Sequence, residues 1–548
     1  MSRGTGATAA DGRARSTANA REVGTGVARQ AGMAQAFTLG QNLSAWEGDV
    51  TLPEPAPLSG PATAEVCVIG AGITGLTSAF LLAKEGKSVV VLDRGELIAG
   101  ETKHTTAHLS CVLDDRFVAL ERLRGTPAAR LAVQSHQAAI ERIGEIAGEE
   151  GIDCDYERLD AYLLLAPGDH ESLLDDELQA AHRAGLRDAE KLARAPFGGF
   201  GDRPCLRFAD QGQFHPLFYT HGLVARCRTL GVRFFGHTAV TAVTGGREVR
   251  VHTQEGPTVT AEAAVVATNS PINERFILHT KLFPYRTYVI AARVPRDSID
   301  HFLYWDTADP YHYVRLQPWR CFDDVPSDRN CDLLIVGGED HKTGQANDAG
   351  ERFERLEDWA RRHFPVLGEV VHRWSGQVLE TLDGLAYIGR DPGGEENVFI
   401  STGDSGMGMT HGTVAGMLLN DLIHGRANPW EELYDPARKP VRALGEFSKE
   451  NLNVVAQFRD YLTPGDLSEV AAIAPGCGAV LRRGLSKVAA FRDPDGVLHE
   501  YSAVCPHLGC VVSWNSQTAT FDCPCHGSRF GPHGHVLSGP AISNLEPL

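Results

Sequence analysis

No stretch of this 548-residue chain approaches the roughly 18 consecutive apolar residues that a membrane-spanning helix needs. An apolar core of about 7–15 residues, which a secretory signal requires, is also missing from its start. A basic surplus is lacking: 52 lysines and arginines face 70 aspartates and glutamates, for a formal charge of −18. That balance argues against a nucleic-acid partner, whose phosphates select basic faces. Paired cysteine spacing is absent from most of the chain. Cys67, Cys111, Cys154, Cys205, Cys227, Cys321, Cys331 and Cys477 are scattered, as reduced core thiols of an intracellular protein would be, and only the last four cysteines cluster. These absences predict a cytoplasmic protein without a transmembrane segment, with peripheral membrane association left open.

What is there begins with a small, polar, mildly basic stretch. Its first 36 residues hold five arginines and only Asp11 and Glu22 as acids. The composition predicts a disordered tail over 1–40, with a transit peptide as the other reading. Beyond it the length predicts about two to four domains. Glycine, at 58 residues, points to many close backbone approaches.

The run "VCVIGAGITGLTSAFLLAKEGKSVVVLD" reads as strand, glycine turn, helix, strand. Val66–Ile69 is apolar, Gly70, Gly72 and Gly75 have the G-x-G-x-x-G spacing, and Ile73–Lys84 carries apolar residues at helical spacing before Gly86. Gly70 permits the tight turn, Gly72 lets the backbone approach a pyrophosphate, and Gly75 brings helix and strand together. The pyrophosphate then meets the positive end of the helix. Asp93, eighteen residues after Gly75, supplies the carboxylate that accepts ribose hydroxyls. Dinucleotide binding follows; the choice between FAD and NAD does not follow from this motif alone.

The segment resembles the FAD-binding start of the D-amino-acid oxidase/glycine oxidase superfamily. It continues with "LIAGETKHTTAHLS", where that superfamily has a glycine- and threonine-rich loop beneath the flavin. "AEAAVVATNSPIN" (Ala261–Asn273) resembles its returning strand, and Asp383, Gly384, Ile388 and Gly389 match its closing D-G-x-x-x-I-G pattern. The resemblance, over about Asn42 to Arg426, implies FAD. It implies cofactor contacts at Gly70, Gly72, Gly75, Asp93, Arg94, Thr102, His104, Thr105, Val240, Ala267, Asp383, Gly403, Gly408, Met409 and Thr410. Gly403, Gly406 and Gly408 let backbone N–H groups approach a planar ring. A helix starting near Thr410 points its positive end at the charge a flavin gains on reduction. His104 stands where dimethylglycine- and sarcosine-dehydrogenase relatives bond the flavin covalently. A covalent bond and a hydrogen bond to the flavin or a neighbouring loop both remain open.

Near the other end, "CPHLGC" and "CPCHGS" supply Cys505, His507, Cys523 and His526 as C-x-H and C-x-x-H pairs. Two thiolates and two imidazoles fit zinc or a [2Fe-2S] cluster, and ligand count does not separate them. The flanking pattern from about Pro464 to Leu548 resembles Rieske domains of the cytochrome bc type. That resemblance implies the cluster, a disulfide between Cys510 and Cys525, and a Ser528 hydroxyl donating to a cluster sulfur. Phe530 stands where such relatives often have a tyrosine. The missing hydroxyl implies a lower potential than theirs, within the roughly −150 to +300 mV spanned by these centres.

The expected architecture is therefore α/β plus all-β. A Rossmann-like FAD-binding domain carries an inserted antiparallel-sheet substrate domain, and a small β-rich Rieske domain follows. The expected boundaries are 41–455 for the flavin part (nucleotide-binding over about 62–150, 220–275 and 375–426), a linker at 456–463, and 464–548 for the Rieske part. A substrate carboxylate needs a cation and orienting aromatics; the candidates are Arg286, Tyr288, Tyr313 and Arg315, with His341 weaker. The expected function is an FAD-dependent dehydrogenase acting on CH-NH or CH-NH2 donors, small amines or amino acids. Its electrons pass singly through the cluster to a one-electron acceptor such as a cytochrome, ferredoxin or quinone-linked carrier. Inward electron flow, for a reductase or monooxygenase, and a redox sensor or relay without an organic substrate are the alternatives. A Rieske oxygenase would need a mononuclear iron site; His104 and His108 in "HTTAH" have helical spacing, but no N/D-x-x-H-x-x-x-x-H pattern accompanies them.

Overall fold

The computed structural model describes residues 42–48, 50, 55–272, 278–319, 330–439, 450–454 and 457–548. The tail expected over 1–40 lies outside the described residues. Val66–Ile69 and Val89–Leu92 form parallel strands with the helix Ile73–Lys84 between them, at the predicted bounds. Both strands are buried along their whole length, as the unbroken apolar runs of a parallel sheet covered on two faces should be. They belong to a six-stranded sheet that adds Arg233–Phe235, Ala263–Val266, Val398–Thr402 and Tyr387–Arg390. Sequence-distant segments are thus brought beside the glycine turn. A four-stranded sheet (Ala62–Thr63, Thr258–Ala261, Val249–Thr253, Val240–Thr244) packs nearby and shares a core with it.

The helices Ile73–Lys84 and Gly408–Ile423 lie against the nucleotide sheet, and a longer helix packs outside them. The 25-residue helix Thr126–Glu150 buries Ala129, Ala132, Val133, Ile140, Ile143 and Ile146, spacings that form one apolar stripe. Gly151, at φ 66°, ends it in a left-handed turn. It packs on the helix Gly408–Ile423, which also packs on Ile73–Lys84. The second helix begins at Gly408, with Met407 as its cap, two residues before the predicted Thr410.

The inserted domain is a nine-stranded, largely antiparallel sheet. Its centre runs in the spatial order Val370–Thr381, Leu282–Pro295, Cys331–Lys342, His312–Pro318. The first of these is an edge strand, and edge donors need partners. Asn42 Oδ1 accepts the Ser375 N–H at 2.7 Å, and Glu101 Oε2 accepts the Gln377 N–H at 2.8 Å.

The C-terminal part holds a three-stranded and a four-stranded antiparallel sheet. Cys510 and Cys525 are joined in a disulfide across a separation of 15 residues. Closing a loop of that size contributes about 3 kcal/mol by restricting the unfolded chain. Of the expected linker, Phe458–Leu462 forms a 3-10 turn, and the Tyr461 hydroxyl donates to the Gly509 carbonyl at 2.6 Å.

Candidate functional site

The glycine turn is a cradle that only glycine fits. A Cβ on Gly75 would lie 1.9 Å from the Gly70 carbonyl oxygen, and one on Gly70 would lie 2.4 Å from the Ala267 oxygen. The N-cap residue, Gly72, brings no capping side chain to the positive end of the helix that starts here. Thr102 Oγ1 accepts the Ile73 N–H at 3.1 Å and pins the next loop against the helix. Asp93 closes the pocket wall, its carboxylate accepting the N–H groups of Ala71 at 2.7 Å and Gly95 at 3.0 Å. Burial nevertheless pushes its carboxyl upward. The N-terminus of Gly408–Ile423 is likewise uncapped by a side chain. The cradle and the two open helix ends fit a dinucleotide carrying a ring that becomes anionic.

Other expected cofactor contacts are placed as follows. Val240 starts the Val240–Thr244 strand and is buried, two residues past Thr238, whose N–H donates to the Asp93 carbonyl. Gly403 (φ 74°) sits against Thr381. Met409 is buried, and the Thr410 hydroxyl is 2.8 Å from His136 Nδ1. Thr105 accepts the Ala107 N–H on its hydroxyl and the Trp46 indole N–H on its carbonyl. His104 turns Nε2 to Asn42 at 3.2 Å and Nδ1 to Glu101 at 3.4 Å. His108 bonds Thr106 and the Val314 carbonyl instead, so the two histidines of "HTTAH" have separate partners.

Two expected contacts are engaged elsewhere. Asp383 is gripped by Arg438 at 2.8 and 3.0 Å; burial opposes its ionisation, but the Arg438 guanidinium holds the carboxyl below its usual range. Arg94 donates to the Ala541 carbonyl at 3.3 Å, in the C-terminal domain.

The substrate candidates are divided by strand alternation, since residues two apart share a sheet face. Arg286 and Tyr288 lie together on the face turned away from Tyr285 and Thr287. The Arg286 guanidinium donates to Ser375 Oγ at 2.7 Å and faces Asp522 at 3.5 Å. Tyr288 stacks on His341 and meets Phe353 edge-on in a buried cluster. Arg315 donates to the carbonyls of Thr106, Ala107, Phe214 and Leu316 and to Gln317. Contrary to expectation, these two guanidiniums are committed within the protein. Of the four, Tyr313 alone joins the recess described next, its hydroxyl 2.6 Å from Thr287 Oγ1.

That recess is acidic, which no motif announced. Asp114, Asp115, Asp340 and Glu380 come together beside the Asp404–Gly408 loop with Tyr311 and Tyr313. Tyr311 donates to Asp114 Oδ2 at 3.1 Å. A Cβ on Gly406 (φ 74°) would lie 1.7 Å from that same oxygen. Asp114 and Asp115 are exposed, and Asp340, Glu380, Tyr311 and Tyr313 around them are half-buried. Desolvation by the surrounding protein, reinforced by Asp115, pushes Asp114 up to about 7. Burial alone takes Asp404 to about 7, and burial takes Asp340 to about 6. Glu380 is raised well above the usual carboxylate range by burial and then by Asp115 and Asp114. These acids come from four separated segments, so only the adjacent pair Asp114–Asp115 left a trace in the sequence.

At the C-terminal end the two cysteine loops face each other. Cys505 and Cys523 are both 1% exposed, and their sulfurs share a hydrogen bond. The His507 and His526 ring centroids are 5.0 Å apart. The Cys523, Cys510 and Cys525 sulfurs lie within 4.8 Å of one another, so the disulfide abuts Cys523. Ser528 Oγ accepts the Ala541 N–H at 3.1 Å. Two thiols and two imidazoles converging from facing loops fit a cluster with unlike irons.

Comparisons with known proteins agree with this geometry. A family model described as FAD dependent oxidoreductase matches residues 65–422, and one described as Rieske [2Fe-2S] domain matches 466–548. The Rieske 2Fe-2S iron-sulfur protein YhfW of Bacillus subtilis (strain 168) is 31% identical over 92% of this chain and 97% of its own. Gamma-glutamylputrescine oxidoreductase of Escherichia coli (strain K12) is 28% identical over 67% of this chain and 85% of its own. The glycine oxidase structure from Geobacillus kaustophilus aligns at TM-score 0.56 and 18% identity, covering 69% of this chain and 99% of that one, and shows the fold. Among the described residues, no helix is long and apolar enough to cross a membrane.

Proposed function

The chain belongs to the FAD dependent oxidoreductase family and carries a Rieske [2Fe-2S] domain, and on that premise we propose that it oxidises a small cationic amine and releases the electrons one at a time to a separate one-electron carrier. FAD, when bound, takes up the hydride from the carbon beside nitrogen, and the cluster carries single electrons. For each amine, two electrons reach two carriers, the nitrogen and the flavin site release protons, and water converts the imine to a carbonyl and a free amine.

The observation that carries the substrate class is the recess itself. Asp114 and Asp340 offer acidic oxygens that ionise near neutral pH, with Glu380 a neutral hydrogen-bonding neighbour, while Arg286 and Arg315, the expected carboxylate anchors, are held by protein groups. Carboxylates and tyrosine faces attract an ammonium group. Tyr311 and Tyr313 supply the faces, their ring centroids 5.5 Å apart. Asp340, at about 6, and Asp114, at about 7, are matched to take the ammonium proton near neutral pH, leaving the nitrogen lone pair free to assist hydride loss. The relative that acts on gamma-glutamylputrescine, by its name, points the same way.

Anaerobic mixing with a panel of diamines, monoamines and amino acids tests this. Flavin bleaching by amines, with rates at least about tenfold above those for amino acids, followed by the cluster's EPR signal, is the expected result. Bleaching confined to amino acids would reject the substrate class. Reduction only by an external carrier, from the cluster side, would reverse the direction.

The recess also predicts a pH dependence of stability. Asp114 holds its proton to about 7 in the fold against an ordinary value of 3.8. Its stabilising contribution is therefore complete below about pH 4 and is lost as pH rises through 7. The melting temperature of Asp114→Asn relative to the unsubstituted protein, both without substrate, should rise between pH 5 and pH 8. A difference that stays flat would show that the carboxyl ionises as it does in water.

A further inference from the structure

The histidine edge of the C-terminal metal site is turned inward. His526 is 8% exposed. The ring of His279, from the turn leading into the Leu282–Pro295 strand of the flavin domain, lies 4.7 Å from the His507 ring and 5.9 Å from the His526 ring. Gln377 Nε2 donates to the Gly527 carbonyl, in the second cysteine loop, at 3.0 Å. A Cβ on Gly527 would strike that amide at 2.6 Å and Pro284 at 2.8 Å. Gly344 meets Pro524 with similar closeness, and Asn347 Oδ1 accepts both the Ser516 N–H and hydroxyl.

Beneath this contact runs a buried chain of charges. Arg286 and Asp522, each 1% exposed at the side chain, face each other at 3.5 Å, and Asp522 directly precedes Cys523. Asp522 also accepts from Arg529 at 3.4 Å, and Arg529 reaches Glu101 at 3.8 Å. Glu101 faces His104 of the loop assigned to the flavin. Arg286 returns through Ser375 to Asn42 and His104. Burial acts against the Asp522 and Glu101 charges, yet Arg529 and Arg286, and His104, hold the respective carboxyls low.

We propose that the Rieske domain is a fixed partner of the flavin domain, latched by Arg286–Asp522–Arg529–Glu101 with His279 against the two cluster histidines, so that electrons pass between the cofactors without domain movement. A swinging domain would have to break, on every excursion, the Arg286–Asp522 contact, the Gln377–Gly527 and Asn347–Ser516 hydrogen bonds and the close packing of Gly344 on Pro524. Arg286 and His279 are then positioning residues, outside the substrate recess.

The test uses the full-length holoprotein with nitroxide labels at L485C and L230C, both exposed positions in the native chain, after Cys321→Ser and Cys477→Ser remove stray labelling. Pulsed dipolar EPR should give one narrow distance population. Photoreduction of the flavin should fill the cluster at a rate that glycerol leaves unchanged. Arg286→Met should broaden the distances and slow the transfer about tenfold or more, as effective concentration falls, with flavin and cluster spectra retained; Arg286→Lys should restore both. A broad or double population in the unsubstituted protein, or transfer slowing in step with viscosity, overturns the proposal. If Arg286→Met does not fold, the unsubstituted distances and the viscosity series decide alone. No substrate is used, so the outcome is independent of the amine reading.

Discussion

Gly75→Ala is expected to purify without the flavin absorbance and to bind FAD at least about 100-fold more weakly, a loss of about 2.7 kcal/mol. The added methyl would sit 1.9 Å from the Gly70 carbonyl oxygen and 3.2 Å from Val68. Backbone cannot step aside as a flexible side chain can, so helix and strand must separate, and overpacking of this kind costs about 1–3 kcal/mol in the fold itself. The same separation withdraws the open helix end from the pyrophosphate. Gly86→Ala is the control: its φ of 94° strains a side chain, but nothing lies within 4 Å of its Cβ. It should lower the melting temperature and leave the FAD affinity intact. Flavin titration of both proteins checks the pair; a tightly binding Gly75→Ala with the flavin absorbance intact would show that the crossing does not shape the pyrophosphate site.

Cys523→Ser is expected to remove the cluster's EPR signal and cut delivery to a one-electron acceptor by at least about 100-fold. Flavin bleaching by an amine should continue within about threefold of the unsubstituted rate. The Cys523 sulfur is buried against Cys505 and beside the Cys510–Cys525 bond. A serine oxygen there is shorter, harder and hard to ionise, and the cluster irons prefer thiolate. The acidic cluster around Asp114 and Asp340 lies on the opposite sheet face from the Arg286 contact with this domain, which is why the first half-reaction should survive. Iron content, EPR and acceptor reduction are measured on one preparation. Undiminished acceptor reduction without a cluster would mean that electrons leave the flavin directly.

The legibility of this molecule followed the distance over which each feature is encoded. Val66–Ile69, Ile73–Lys84 and the Gly70–Gly75 turn were readable because strand, turn and helix are local, and each carries its own pattern. The Rieske domain was readable for the same reason: its cysteine and histidine pairs lie in two short loops. Arg286 and Arg315 misled, because an arginine in a strand looks alike whether it faces a ligand, a carboxylate from another domain or a set of carbonyls. Asp383 misled in the same way, its motif position being real while its carboxylate belongs to Arg438.

The sequence by itself determined two cofactor domains and their order, since spacing within one loop or one β-α turn is enough to specify them. Only the tertiary structure decided that Asp114, Asp115, Asp340 and Glu380, from three separated segments, come together and that the His507 ring rests on His279. Those relations depend on which face of a strand a side chain takes and on which surfaces pack. Both are set by the burial of the whole sheet, and no local pattern records them.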